Sequence, residues 1–108
     1  MLIQVTDKVI APDPVIASLD REIHGAVVTF LGTVRRFTGE RRVQYLDYEA
    51  YPKMAEEKLA QVAREVIKKF QAEDVSIFHR IGRLYVGETS LVVAVASPHR
   101  REGFEACL

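Results

Sequence analysis

Two stretches of the chain are apolar almost without a break: AVVTFLGTV at residues 26–34 and SLVVAVA at 90–96, both rich in β-branched side chains. Runs of that length and type predict strands buried on both faces, placed centrally in a sheet. LIQVTD near the start predicts a shorter strand. DVSIFHRIG predicts another, leading to the second apolar run through a connection at residues 82–87. VQYLDYEAY alternates and reads as the strand returning from RRFTGERR, a basic loop or hairpin tip. Elsewhere, apolar positions three and four apart predict helices. DPVIASLDREIHG has Asp13 as N-cap, Pro14 at the first helical position and Gly25 closing it, with Val15, Ile16, Leu19 and Ile23 as its buried face. Pro52 opens the longest helix, PKMAEEKLAQVAREVIKKFQ, whose stripe is Met54, Leu59, Val62, Val66, Ile67 and Phe70. A last helix leaves the second apolar run with Ser97 as N-cap and Pro98 at the first position, and Phe104, Cys107 and Leu108 begin its stripe. The expected class is α+β, a mostly antiparallel sheet with two or three packed helices.

Length and charge narrow this picture. With 108 residues there is room for one core, so residues 1–108 are expected to form a single domain. Lys+Arg and Asp+Glu are both 15, which leaves no overall field to attract nucleic acid or an anionic membrane, so any anion site has to arise from local clustering. The one cysteine, Cys107, has no partner for a disulfide and no metal-ligand spacing to other Cys or His, and no metal or cofactor is expected. No signal-peptide pattern or spanning apolar run is present, and the expected location is the cytoplasm.

The strongest candidate for chemistry is the strand-to-helix junction Ser97, Pro98, His99, Arg100. Free backbone N–H groups, a helix dipole and a guanidinium meet there, which is the composition of an anion pocket. The competing reading is that Arg100 and Arg101 are solvated or paired with Glu102 and Glu105. A second candidate is LGTVRR, where Gly32 permits close backbone approach and Arg35 emerges after a strand. Arg36, Arg41 and Arg42 read more simply as solubilising charge. His79 shares a strand face with Ile77 and Ile81 and reads as a core or interface histidine, while His24 reads as a helix-terminal cation. Cys107 lacks a neighbouring base and reads as core. Tyr45, Tyr48, Tyr51 and Phe37 suit either stacking on a planar ring or packing, with packing favoured.

Four blocks in order, GAVVTFLGTVR, YEAYPKMAEEKL, HRIGRL and VAVASPHRREGFEAC, resemble the large, catalytic subunit family of molybdopterin synthase. The resemblance implies a hammerhead-like α/β fold. It also implies sulfur transfer to cyclic pyranopterin monophosphate, making the dithiolene of molybdopterin, with no cofactor. The sulfur donor it implies is the thiocarboxylated C-terminus of a small ubiquitin-like subunit, within a heterotetramer built on a central homodimer. Carried over by motif, Arg35, His99 and Arg100 line the pocket for the pterin and its phosphate, with Phe30 close by. The lysines to which the family's catalysis is assigned belong to an LK…P.WK segment that would follow Leu108. None of Lys8, Lys53, Lys58, Lys68 or Lys69 matches it, so the catalytic residues stay unassigned. The sequence is therefore expected to be C-terminally truncated, with a naturally short paralogue as the lesser reading. Ending at Leu108 it is expected to fold and hold pterin phosphate without turnover. The alternative function is a non-catalytic dimeric module that binds a phosphorylated ligand or a ubiquitin-like tail.

Overall fold

SLVVAVA becomes the centre of the sheet. In chain order the elements are β1 (Leu2–Thr6), α1 (Pro12–Ala17), β2 (Ala26–Thr33), β3 (Phe37–Thr38), β4 (Arg41–Arg42), β5 (Tyr45–Tyr48), α2 (Pro52–Phe70), β6 (Asp74–Arg80), β7 (Gly82–Tyr85), β8 (Thr89–Ser97) and α3 (Arg100–Cys107). This computed structural model describes the chain apart from residues 20–22, 39–40, 43 and 49–50, and describes backbone alone at 37–38, 41–42, 46 and 48. The main sheet has the order β1-β6-β8-β2, with β1 and β6 parallel and the other pairs antiparallel. The expected α+β class, with three helices on a mostly antiparallel sheet, is what forms. No helix among the described residues is long and apolar enough to cross a membrane.

β8 is apolar from Leu91 to Ala96 because both of its faces are covered there. Val92, Ala94 and Ala96 pack with Ile10, Val15 and Leu19 from the α1 side, while Val95 and its neighbours Leu91 and Val93 pack with Ala63, Ala106, Val75 and Ile77 on the α2–α3 side. The alternation is that of any strand, with helices on both sides in place of solvent on one. Each fully buried valine here contributes about 1.5–3 kcal/mol of transfer free energy.

β2 departs from expectation. It is an edge strand rather than a central one, and Phe30 and Leu31 are 49% and 42% exposed. β1, the other edge, is shielded differently: the Val5 N–H donates to Glu56 Oε1 of α2 at 3.0 Å. The strand after the basic segment does not return to β2 either. β5 pairs with β7 in a separate ribbon, Tyr45 opposite Tyr85 and Tyr48 opposite Gly82, so the expected 82–87 connection is largely strand. RRFTGERR does form a small hairpin, β3–β4, whose tip at 39–40 lies outside the described residues.

Three helix expectations change. α1 begins at Pro12 with Ala11 as N-cap and ends at Ala17. The Ser18 hydroxyl donates to the Val15 carbonyl at 2.6 Å and meets Ser76 Oγ at 2.7 Å, so side-chain bonding closes the helix early. Ile23, expected on its buried face, is 70% exposed, and residues 20–22 of the expected helix lie outside the described residues. α2 starts at Pro52 as expected and buries Ala63, with Leu59, Val66, Ile67 and Phe70 packed on the core. Met54 and Val62 face outward. α3 buries Gly103 and Ala106, with Cys107 against the core and Phe104 turned to solvent. Burial raises the Cys107 thiol above its ordinary range, as befits a packed rather than a reactive cysteine.

Candidate functional site

The junction between β8 and α3 is built by close approach. Ser97 belongs to the strand and is fully buried, and its hydroxyl donates to the His99 carbonyl at 2.7 Å. That bond takes Ser97 out of the capping role expected of it. The N-cap is His99, extended at φ −134° and ψ 157°, with no side-chain cap bond, and the helix starts at Arg100. Two glycines let the backbone fold this tightly. A Cβ on Gly25 would lie 2.2 Å from the Pro98 carbonyl oxygen, and one on Gly103 would lie 2.8 Å from Val28 Cγ2 and 2.9 Å from Ser97 Oγ. The result is an exposed His99 and Arg100 at an uncapped helix start, beside first-turn N–H groups that carry partial positive charge.

Among the described residues Arg100 makes no ion pair, and Arg101 meets Glu105 at 3.6 Å on the surface. Glu102 does not neutralise Arg100, since its Oε2 is buried without a hydrogen-bond partner among the described residues. The pairing alternative thus applies to Arg101 and not to Arg100. His24 lies beyond α1, with residues 20–22 between them outside the described residues, and its Nδ1 lies 3.1 Å from Glu73 Oε2. The Glu73 N–H in turn donates to the Ala96 carbonyl at 2.8 Å, tying that pair to the end of β8 where the junction lies.

Arg35 is elsewhere. β2 and β8 run antiparallel with Ala26 opposite Ser97 and Thr33 opposite Thr89, so His99 and Arg100 leave one end of the ladder and Arg35 the other. Seven residue steps at about 3.3 Å put roughly 23 Å of strand between those ends. One copy of the chain therefore does not bring Arg35 to the His99–Arg100 junction. Phe30 lies between them, opposite Val93 and on the strand face that carries Val28 and α3. Tyr45, one of the aromatic candidates, packs edge-on to Tyr85 with ring centroids 6.0 Å apart and carries Arg83 over its face at 4.1 Å; Tyr51 is exposed, and the side chains of Tyr48 and Phe37 lie outside the described residues.

With both ends of the ladder placed, the relationship to known proteins can be assigned. The sequence profile of the MoaE protein family matches residues 5–108. The chain is a member of the MoaE family. It is 47% identical over 91 residues to the molybdopterin synthase catalytic subunit of Halalkalibacterium halodurans, covering 82% of this chain and 58% of that one. Against the molybdopterin synthase catalytic subunit of Bacillus subtilis it is 41% identical over 103 residues, 95% of this chain and 66% of the relative. The chain thus spans about three-fifths to two-thirds of the length of these relatives. The crystal structure of molybdopterin synthase from Staphylococcus aureus superposes with a TM-score of 0.88 at 39% identity, covering 95% of this chain and 75% of that one. A Helicobacter pylori complex of subunits 1 and 2 of molybdopterin-converting factor has a chain that shares the fold, with a TM-score of 0.74 at 16% identity.

One feature near Arg35 was not legible as chemistry in this MoaE sequence. Arg80 Nη1 donates to Glu88 Oε2, and the Tyr85 N–H donates to Glu88 Oε1 at 2.7 Å. The available signal was a charge at the end of a mixed strand, DVSIFHR, too common to single out. The Tyr85 N–H first, and Arg80 second, hold the Glu88 carboxyl below the usual glutamate range. A carboxyl lowered on folding adds stability above its unfolded value, and that stability fades as pH falls through the lowered one. Thermal melts of the parent and Glu88→Gln should therefore differ at neutral pH and converge in acid. A gap that stays constant from pH 7 to pH 3 would show that the carboxylate plays no part.

Proposed function

We propose that this chain acts in molybdenum cofactor biosynthesis, in sulfur transfer from the thiocarboxylated C-terminus of a small ubiquitin-like subunit to cyclic pyranopterin monophosphate. Its own share of the work is to hold the precursor. His99 and Arg100 supply a cationic, uncapped helix start for the phosphate, where an arginine fork makes two parallel bonds. Arg35 supplies a second guanidinium, and Phe30 an apolar wall for the pterin. The observation that carries this reading is the exposed His99–Arg100 junction, with no ion pair among the described residues, in a chain of the MoaE family.

Because the ladder separates the two cationic groups in one copy, the site is formed between two copies, Arg35 from one and His99 and Arg100 from the other. The open β2 edge with its exposed Phe30 and Leu31 supports this, since an apolar edge strand of this kind calls for a cover. A small subunit at each end of the pair completes a heterotetramer.

The test mixes the chain with thiocarboxylated small subunit and cyclic pyranopterin monophosphate, both as it stands and with the C-terminal segment of the Bacillus subtilis relative appended. Isothermal titration should detect precursor binding to both forms. Mass spectrometry should find the dithiolene product, and the tail converted from thiocarboxylate to carboxylate, with the extended form. Binding without product in either form identifies the phosphate-binding module instead, and no binding to either overturns the site.

A further inference from the structure

Arg35 follows directly on Val34, and Val34 is clamped by its backbone to the turn between β7 and β8. Its N–H donates to the Glu88 carbonyl at 3.0 Å, and its own carbonyl accepts from the Gly87 N–H at 2.8 Å. Glu88 thus stands across a backbone pairing from Val34, the residue before Arg35. A tethered carboxylate in that position is a built-in competitor, present at high effective concentration against any ligand phosphate. Yet Arg35 makes no ion pair among the described residues.

The reason lies in how Glu88 is used. Oε1 accepts from the Tyr85 N–H and Oε2 from Arg80 Nη1, so each oxygen already has a donor and the Arg80 guanidinium offsets the carboxylate's charge. Arg80 reaches in from the end of β6 with its side chain only 11% exposed, and its Nε is buried with no partner among the described residues. Burying an unpaired donor is unfavourable, so a guanidinium at that point calls for a compensating role. Holding Glu88 is such a role.

We propose that Arg80 is a positioning residue for the anion site: by binding the Glu88 carboxylate it keeps that carboxylate off Arg35, leaving the Arg35 guanidinium open to the ligand's phosphate. This rests on the assignment of Arg35 to the phosphate made above. The role differs from simple bracing of the turn, because the harm done by losing Arg80 comes from a liberated negative charge. Removing that charge as well should undo the harm.

The experiment titrates cyclic pyranopterin monophosphate into the full chain and into Arg35→Ala, Arg80→Gln, Arg80→Lys and the double variant Arg80→Gln/Glu88→Gln, with circular dichroism to establish that each is folded. Arg80→Gln is expected to bind about tenfold more weakly, and the double variant to return to within about threefold of the parent, a coupling typical of groups in direct contact. Arg80→Lys keeps a cation on Glu88 and is expected to bind like the parent, which covers the case in which Arg80→Gln does not fold. A double variant as weak as Arg80→Gln would mean that Arg80 only braces the turn, and would overturn the proposal. So would weak binding by folded Arg80→Lys, or parent-like binding by Arg80→Gln while Arg35→Ala binds poorly. Parent-like binding by Arg35→Ala overturns the anion-site assignment and this proposal together.

Discussion

Arg35→Ala and Arg100→Ala are each expected to lose most of their affinity for cyclic pyranopterin monophosphate, and an equimolar mixture of the two to regain part of it. A hydrogen bond to a charged group is worth about 1.5–3 kcal/mol, which corresponds to roughly 10- to 100-fold in affinity. Recovery in the mixture follows from the β2–β8 register, which sends Arg35 and Arg100 to opposite ends of one ladder. If the site joins Arg35 of one copy to Arg100 of the other, a mixed pair contains one doubly substituted site and one intact site. Random exchange in a two-fold pair then restores about a quarter of the sites to full affinity. Titration of the mixture after subunit exchange should show this high-affinity fraction, and sedimentation should show a dimer. A clean monomer, or a mixture with no high-affinity fraction, would rule out a site shared between copies.

Gly25→Ala is expected to be the most damaging small substitution at the site. The added Cβ would meet the Pro98 carbonyl oxygen at 2.2 Å, an encounter of backbone with backbone that no rotamer change relieves. The chain has to separate at the start of β2, at a cost of about 1–3 kcal/mol or more. For a domain of this size that lowers the melting temperature by roughly 5–20 °C. Pro98 immediately precedes His99 and Arg100, so the same movement displaces the cationic pair, and precursor affinity should fall along with stability. Gly87→Ala provides the contrast. Gly87 has φ +88° and open space where a Cβ would stand, so its cost is backbone strain on the order of 1 kcal/mol, remote from the junction. Differential scanning calorimetry separates the two. A Gly25→Ala variant that melts within a degree of the parent would show that the junction is not held by this contact.

The elements whose positions were legible are those with a local cause. Pro52 starts α2 because a missing N–H is harmless at that position, and the β8 run reads as central because nothing polar interrupts it from Leu91 to Ala96. β2 carries an equally apolar run yet sits at the edge, since composition reports that a strand is covered and not by which neighbour. Ser97 has the composition of an N-cap, but its hydroxyl is taken by the His99 carbonyl once the strand extends that far. The site divides in the same way. Residue types and motifs single out Arg35, His99 and Arg100 as candidates, but their separation within one chain was not legible, because it depends on a register spread over eight paired residues of β2.

The parallel pairing of β1 with β6 has a consequence for how the sheet is assembled. Leu2 lies opposite Ser76, so the first strand of the chain acquires this strand partner more than seventy residues later, whereas β6 and β8 meet across a short connection. Contacts of such long range are slow to form, because loop closure must precede any gain from pairing. During synthesis the β1 segment leaves the ribosome well before β6 exists, and until then its backbone has no sheet to join. The β6–β8 pair, closed across a short connection, is therefore expected to form first, with the N-terminal strand joining it afterwards.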